Sequence, residues 1–169
     1  TYEDLANYRG KWYEPLHTNY KGVDIYTTPT WTQAPLLILY FNMLENFDLK
    51  SLGYGSPEYL HLISQVIDLG MADRWKYMGD PDFVDIPEGL WTKEYANERI
   101  KLIDMDKAFP DMPPYGDPYN NKAVAPEYYT LAKVKPVELE KEGDTTYLCV
   151  IDGQGNIFSM TPSDGHAGT

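Results

Sequence analysis

The chain has 169 residues, 43% of them apolar and 14% aromatic, enough for one domain with a filled core and too apolar for wholesale disorder. A formal net charge of −12 leaves no basic patch for nucleic acid or anionic lipid, so both drop out as partners. No run approaches the ~18 apolar residues of a membrane span. The chain opens on Thr1-Tyr2-Glu3-Asp4 with no signal peptide and reads as the middle of something longer.

In chain order, Thr1 and Asp4 form a capping box with Asp in place of Glu, so a short helix is expected over residues 2–7. Extended segments follow at 11–17 and 23–27, split by the turn-prone Asn19-Tyr20-Lys21-Gly22. After the loop Thr28-Pro29-Thr30-Trp31-Thr32-Gln33-Ala34, Pro35 opens the apolar run 36–47, where proline suits a first helical turn. Ser56 and Pro57 start the longest helix, over residues 57–78. Its apolar stripe is Leu60, Ile63, Ile67, Met71, Trp75 and Met78, expected to face the core rather than a cofactor. Asp80-Pro81-Asp82 reads as the turn that ends it. Another helix is expected over 93–103, with Tyr95, Arg99 and Leu102 alternating with charges.

Pro110, Pro113, Pro114, Gly116, Pro118 and Pro126 then rule out a helix or central strand across 106–127. A mobile linker is expected there, and the charged stretch 134–143 looks equally exposed. Beyond it the pattern is β: segments 146–152 and 156–161 flank Gly153-Gln154-Gly155, a tight hairpin turn. The lone cysteine, Cys149, lies in an apolar run and is expected as a buried small hydrophobe. It cannot by itself form an internal disulfide or a thiolate metal site. His17, His61 and His166 are scattered, with no His-x-x-x-His pair, so no metal or other cofactor is called for.

Thr145-Thr146 opens this β segment directly after the acidic Lys141-Glu142-Gly143-Asp144. Taken alone, a threonine pair there is an ordinary strand choice. The position nevertheless suits a nucleophile, because a flexible lead-in joins a rigid strand that would hold the hydroxyl still.

The segment Thr145-Thr146-Tyr147-Leu148-Cys149-Val150-Ile151-Asp152-Gly153-Gln154-Gly155-Asn156 through Thr161 resembles the start of the small subunit of gamma-glutamyltransferases. The stretches Glu3-Asp4-Leu5-Ala6-Asn7-Tyr8, Tyr20-Lys21-Gly22 and Asn42-Met43-Leu44-Glu45-Asn46-Phe47-Asp48-Leu49 resemble the end of that family's large subunit, in the family's order. So do Ala72-Asp73-Arg74 and Gly79-Asp80-Pro81-Asp82-Phe83-Val84.

The resemblance implies an α+β fold that is part of a four-layer αββα N-terminal-nucleophile hydrolase sandwich. It divides the chain into a mostly helical large-subunit part (1–105), a proline-rich and charged linker before the processing site (106–144), and the start of the small subunit (145–169). It further implies self-cleavage between Asp144 and Thr145, with Thr145 as nucleophile and Thr161 and Ser163 orienting it. The family's oxyanion-hole and substrate-carboxylate residues would fall outside the chain, so its partners would be the remainder of its own precursor and a small-molecule amide. Relatives work in several compartments, and none is implied.

Two departures matter. Gly165 stands where the family has an asparagine that helps hold the glutamyl group. Thr28-Pro29-Thr30-Trp31-Thr32-Gln33-Ala34 replaces its Pro-Pro-Pro-Ser-Ser-Gly-Gly loop. Both resemble oxamate amidohydrolase-like and acylase-like members that act on other amides. The rival readings are a non-catalytic or unprocessed member of the same family, and a carbohydrate-binding module built on the 15 tyrosines and four tryptophans. A glycosidase carboxylate pair among Asp73, Asp80, Asp82 and Asp85 would need a defined spatial separation, and a structural role is expected for these residues.

Overall fold

The computed structural model describes residues 1–128 and 145–162, which fall in two compact units, Thr1–Ala132 and Lys133–Thr169. In the first unit, α1 (Tyr2–Asn7) forms on the expected capping box: the Thr1 side chain accepts from the Asp4 amide, and the Asp4 carboxylate accepts from the Thr1 terminus. Strands β1 (Leu16–Tyr20) and β2 (Val23–Thr27) pair antiparallel, with Tyr20 opposite Val23. Lys21 and Gly22 both take positive φ, 50° and 90°, which a two-residue hairpin turn requires. That short turn is why β1 runs through Tyr20 and starts later than the expected segment at 11–17.

Helix α2 (Leu36–Leu44) follows Pro35, α3 (Leu49–Leu52) is capped by Asp48, and α4 (Pro57–Tyr77) is capped by Ser56, which accepts from the Tyr59 amide at 3.0 Å. Helix α5 (Lys93–Arg99) is capped by Thr92 and continues as a 3-10 turn, Ile100–Leu102. The core joins Leu39 and Met43 of α2, Leu62, Val66 and Leu69 of α4, Leu90, and Tyr95 and Ala96 of α5. Burying such side chains stabilises by roughly 1.5–3 kcal/mol each. Asn42 links this core to the hairpin: Thr18 Oγ1 donates to its Oδ1 at 2.6 Å, and its Nδ2 donates to the Trp91 carbonyl at 2.9 Å.

Two expectations about the packing of this unit are corrected. The buried side of α4 is Leu62, Gln65, Val66, Leu69, Ala72 and Asp73, while Leu60, Ile67 and Trp75 of the expected stripe are exposed. Gln65 and Asp73 hid the true face, because both are polar and both are satisfied inside the fold: Gln65 Nε2 donates to the Asp104 carbonyl at 2.7 Å.

The proline-rich stretch, as far as residue 128, is packed onto the helices rather than free. Residues 115–128 form a strap in which Tyr115, Asp117 and Ala125 are buried. Its backbone lacks regular structure, so its polar groups take partners from the body. The Gly116 amide donates to Asp73 Oδ1 at 2.9 Å, the Tyr77 hydroxyl donates to the Gly116 carbonyl at 2.7 Å, and Arg99 Nη1 donates to the Ala123 carbonyl. Gly116 has no room for a side chain: a Cβ would meet Tyr95 Oη at 2.2 Å and Arg99 Cδ at 2.8 Å. The charged stretch 134–143 lies outside the described residues.

Arg99 and Asp73 are 0% and 1% exposed, with Arg99 Nε donating to Asp73 Oδ2 at 3.0 Å. Burial pushes the Asp73 carboxyl above its ordinary value, opposed by the Arg99 charge and the Gly116 amide. Arg99 Nη2 donates to the Leu69 carbonyl at 3.1 Å.

The second unit contains an antiparallel hairpin of β3 (Leu148–Ile151) and β4 (Ile157–Met160), with Leu148 opposite Met160 and Ile151 opposite Ile157. Cys149 is exposed here, not buried as expected, because a two-stranded ladder offers no second layer to cover it.

The buried pair generates a stability prediction. Asp73→Ala leaves an uncompensated buried cation and should cost about 3–5 kcal/mol in urea unfolding. Asp73→Leu combined with Arg99→Met should cost less than Asp73→Ala alone.

Candidate active site

The hairpin turn is set by one carboxylate. Asp152 accepts from the Gln154 amide at 2.8 Å, the Asn156 amide at 2.9 Å and Asn156 Nδ2 at 2.7 Å. Gly155 takes φ 84°, a left-handed value that suits glycine. The strand therefore reverses at a fixed place, and the register follows outward. It extends past the named strands through the Thr146 amide, which donates to the Pro162 carbonyl at 3.0 Å.

Side chains alternate along a strand, and directly opposed residues share a face. Thr145, Tyr147, Cys149, Ile151, Ile157, Ser159 and Thr161 consequently lie on one face, and Thr146, Leu148, Val150, Phe158 and Met160 on the other. Ser159 Oγ donates to the Tyr147 hydroxyl at 3.1 Å, which fixes the parity. The candidate nucleophile Thr145 and the candidate orienting residue Thr161 are thus brought to the same face, at its polar open end, both exposed. Asp144 and Ser163 lie outside the described residues. Tyr147 and Ser159 were not singled out from sequence, although counting in twos from Thr145 would have found Tyr147.

A threonine hydroxyl is a weak nucleophile and needs an adjacent base. The hairpin carries no histidine, whereas an α-amine on Thr145, once freed, would have an unperturbed pKa of roughly 7.7–8.0 and would suit that role. Among the described residues, no three His, Cys, Asp or Glu side chains stand together as a metal site.

Among its described residues, the first unit brings together no comparable set. Asp73 is committed to Arg99 and Gly116, Asp80 accepts from the Asp82 amide at 2.9 Å within its own turn, and Asp82 pairs with Lys11 at 3.3 Å. An open cleft of about 560 Å³ lined by Asp85, Glu88, Thr92, Pro118, Tyr119 and Asn121, among others, holds none of the residues singled out for nucleophilic chemistry.

A family model described as gamma-glutamyltranspeptidase matches residues 1–168. The chain is 32% identical over 163 residues to the glutathione hydrolase proenzyme of Escherichia coli (strain K12), covering 95% of this chain and 25% of that protein. It is also 32% identical over 160 residues to the acylase ACY 1 proenzyme of a Pseudomonas species, covering 94% of this chain and 25% of the relative. The gamma-glutamyltranspeptidase crystal structure from Helicobacter pylori aligns with a TM-score of 0.63 at 33% identity, covering 80% of this chain and 37% of that one. The chain spans about a quarter of the length of the curated relatives it matches.

The turn carries a pH signature. The Asn156 side chain, then the Asn156 and Gln154 amides, hold the Asp152 carboxyl below its ordinary value. A depressed carboxyl stabilises the turn above its unfolded pKa of about 3.9 and loses that contribution as pH falls through the lower, folded value. The amide proton shifts of Gln154 and Asn156 should hold steady from neutrality to about pH 4 and move below it. Asp152→Ala should abolish that step.

Proposed function

The chain belongs to the gamma-glutamyltranspeptidase family, and from that premise we propose that it carries the nucleophile of an N-terminal-nucleophile amidohydrolase, exposed by self-cleavage between Asp144 and Thr145. The observation that carries this reading is the placement of Thr145 at the mouth of a hairpin whose register puts it on one face with Thr161. The relatives' designation as proenzymes supports processing.

In the precursor, the Thr145 hydroxyl attacks the Asp144 carbonyl. The peptide C–N bond breaks and its nitrogen becomes the Thr145 amine, leaving Asp144 as an ester on Thr145 Oγ. Water hydrolyses the ester to an Asp144 carboxylate and a free Thr145 hydroxyl. In the mature enzyme the Thr145 amine takes the proton from its own hydroxyl as that oxygen attacks the substrate amide. The leaving amine departs with a proton, and water or a second amine then takes the acyl group. Thr161 and Ser163 orient the amine and hydroxyl.

The first 105 residues serve as the large-subunit end, 106–144 as the segment before the cut, and 145–169 as the start of the small subunit. The αββα layering would come from the rest of the precursor. A lone two-stranded hairpin is marginal in water, and Leu148, Val150, Phe158 and Met160 all lie exposed on its apolar face. Gly165 and the Trp31 loop stand where glutamate-reading residues are expected, so the acyl group is gamma-glutamyl or a related one. The acylase relative is compatible with that.

Full-length protein should show a new N-terminus at Thr145 by intact mass and N-terminal sequencing. Thr145→Ala should abolish it, and Thr145→Ser should keep it. An uncut wild-type chain would remove Thr145 from the mechanism. For the mature enzyme, kcat/KM on a cleaved amide should rise with pH through roughly 7–8, where the Thr145 amine loses its proton.

A further inference from the structure

We infer that Tyr147, with its hydroxyl held by Ser159, positions Thr161 against the nucleophile Thr145. This role rests on the self-cleavage reading above, and it comes from the ladder of the hairpin. The Thr146 amide donates to the Pro162 carbonyl, and the Asp152 amide to the Asn156 carbonyl, so the even-numbered pairs are the hydrogen-bonded ones. Tyr147 and Thr161 fall between the steps Thr146–Pro162 and Leu148–Met160 and directly oppose each other in a non-hydrogen-bonded pair. Such a pair brings its Cα atoms to about 4.5 Å and its side chains closest together.

Two diagonals of the same sense cross this face. Tyr147 to Ser159 is one, and Thr145 to Thr161 is the next one outward. Diagonal neighbours lie about 7–8 Å apart, within reach of a long side chain. Tyr147 makes its crossing: Ser159 Oγ donates to the phenolic hydroxyl at 3.1 Å. The ring therefore leans across the ladder toward the turn and walls the turn-ward side of Thr161.

Tyrosine suits many strands, which accounts for the ring but not for a hydroxyl held across the ladder. A β-branched residue has few χ1 choices. With the ring on its turn-ward side, the Thr161 hydroxyl is left facing the open end, where Thr145 stands. A χ1 without that wall has three staggered wells, so loss of the ring makes the competent Thr161 rotamer about threefold rarer. Tyr147 touches no reacting atom and acts through Thr161, so it is a positioning residue.

Appearance of the Thr145 N-terminus in full-length precursor tests this role, with unfolding midpoints measured alongside. Tyr147→Ala removes ring and latch together and should slow cleavage about threefold. Tyr147→Phe and Ser159→Ala break only the latch. Each should slow cleavage by less, by the same factor, and at the wild-type midpoint. The double variant Tyr147→Phe/Ser159→Ala should be no slower than either single one, because both remove the same bond. Phe158→Leu, on the opposite face, is the destabilised control and should cut at the wild-type rate.

Wild-type cutting in Tyr147→Ala, additive slowing in the double variant, or slowing in Phe158→Leu equal to that in Tyr147→Ala overturns the role of Tyr147 while leaving self-cleavage intact. If Tyr147→Ala fails to fold, the two latch variants decide, and wild-type cutting in both overturns the role. A wild-type chain that never cuts sinks the self-cleavage reading, and the role of Tyr147 with it.

Discussion

The Arg99–Asp73 pair decides how the first unit is assembled. Through it α4, α5 and the strap are joined by directed bonds as well as by packing. A guanidinium taken wholly out of water must find an acceptor for nearly every donor, and here the acceptors are a carboxylate and two backbone carbonyls from separate segments. The cost of burying the charge makes any other arrangement of those segments worse, so the pair specifies geometry more than it adds stability. Gly116 follows from it: the backbone passes so close to Tyr95 and Arg99 that no side chain fits.

A division of labour runs along the chain. Residues that mark the family in the first part are mostly structural: Asn42 bridges hairpin and helix, Glu45 pairs with Lys93, Asp48 caps α3, and Asp73 holds Arg99. The residues proposed to carry chemistry sit on a small hairpin whose own order comes from Asp152. The two parts therefore rest on different physics, buried electrostatics in one and turn chemistry with strand register in the other.

Local signals were the legible ones. The caps at Thr1 and Ser56, the proline starts at Pro35 and Pro57, and the Gly153-Gln154-Gly155 turn each depend on neighbours within a few residues, so the sequence displays them directly. The buried face of α4 was misjudged because its inward polar residues are satisfied by partners 39 and 26 positions away, Gln65 with Asp104 and Asp73 with Arg99. Hydrophobic periodicity cannot register such partners. The strap was misread for a related reason: proline density excludes helix and strand, but it does not exclude an irregular segment fastened by side chains from elsewhere. At the candidate site, Thr145 and Thr161 emerged from family resemblance, whereas their shared face required the register.

Strand alternation has an evolutionary consequence for that site. A single-residue insertion or deletion between Thr145 and the turn would carry the threonine to the side occupied by Leu148 and Val150, away from Ser159 and Thr161, without altering any side chain. Length variation in this hairpin is therefore tolerable only in steps of two, or beyond the reversal at Asp152. Among homologues, gaps in this stretch should be rarer than substitutions, and the spacing between the leading threonine and the turn aspartate should outlast the identity of nearly everything in between.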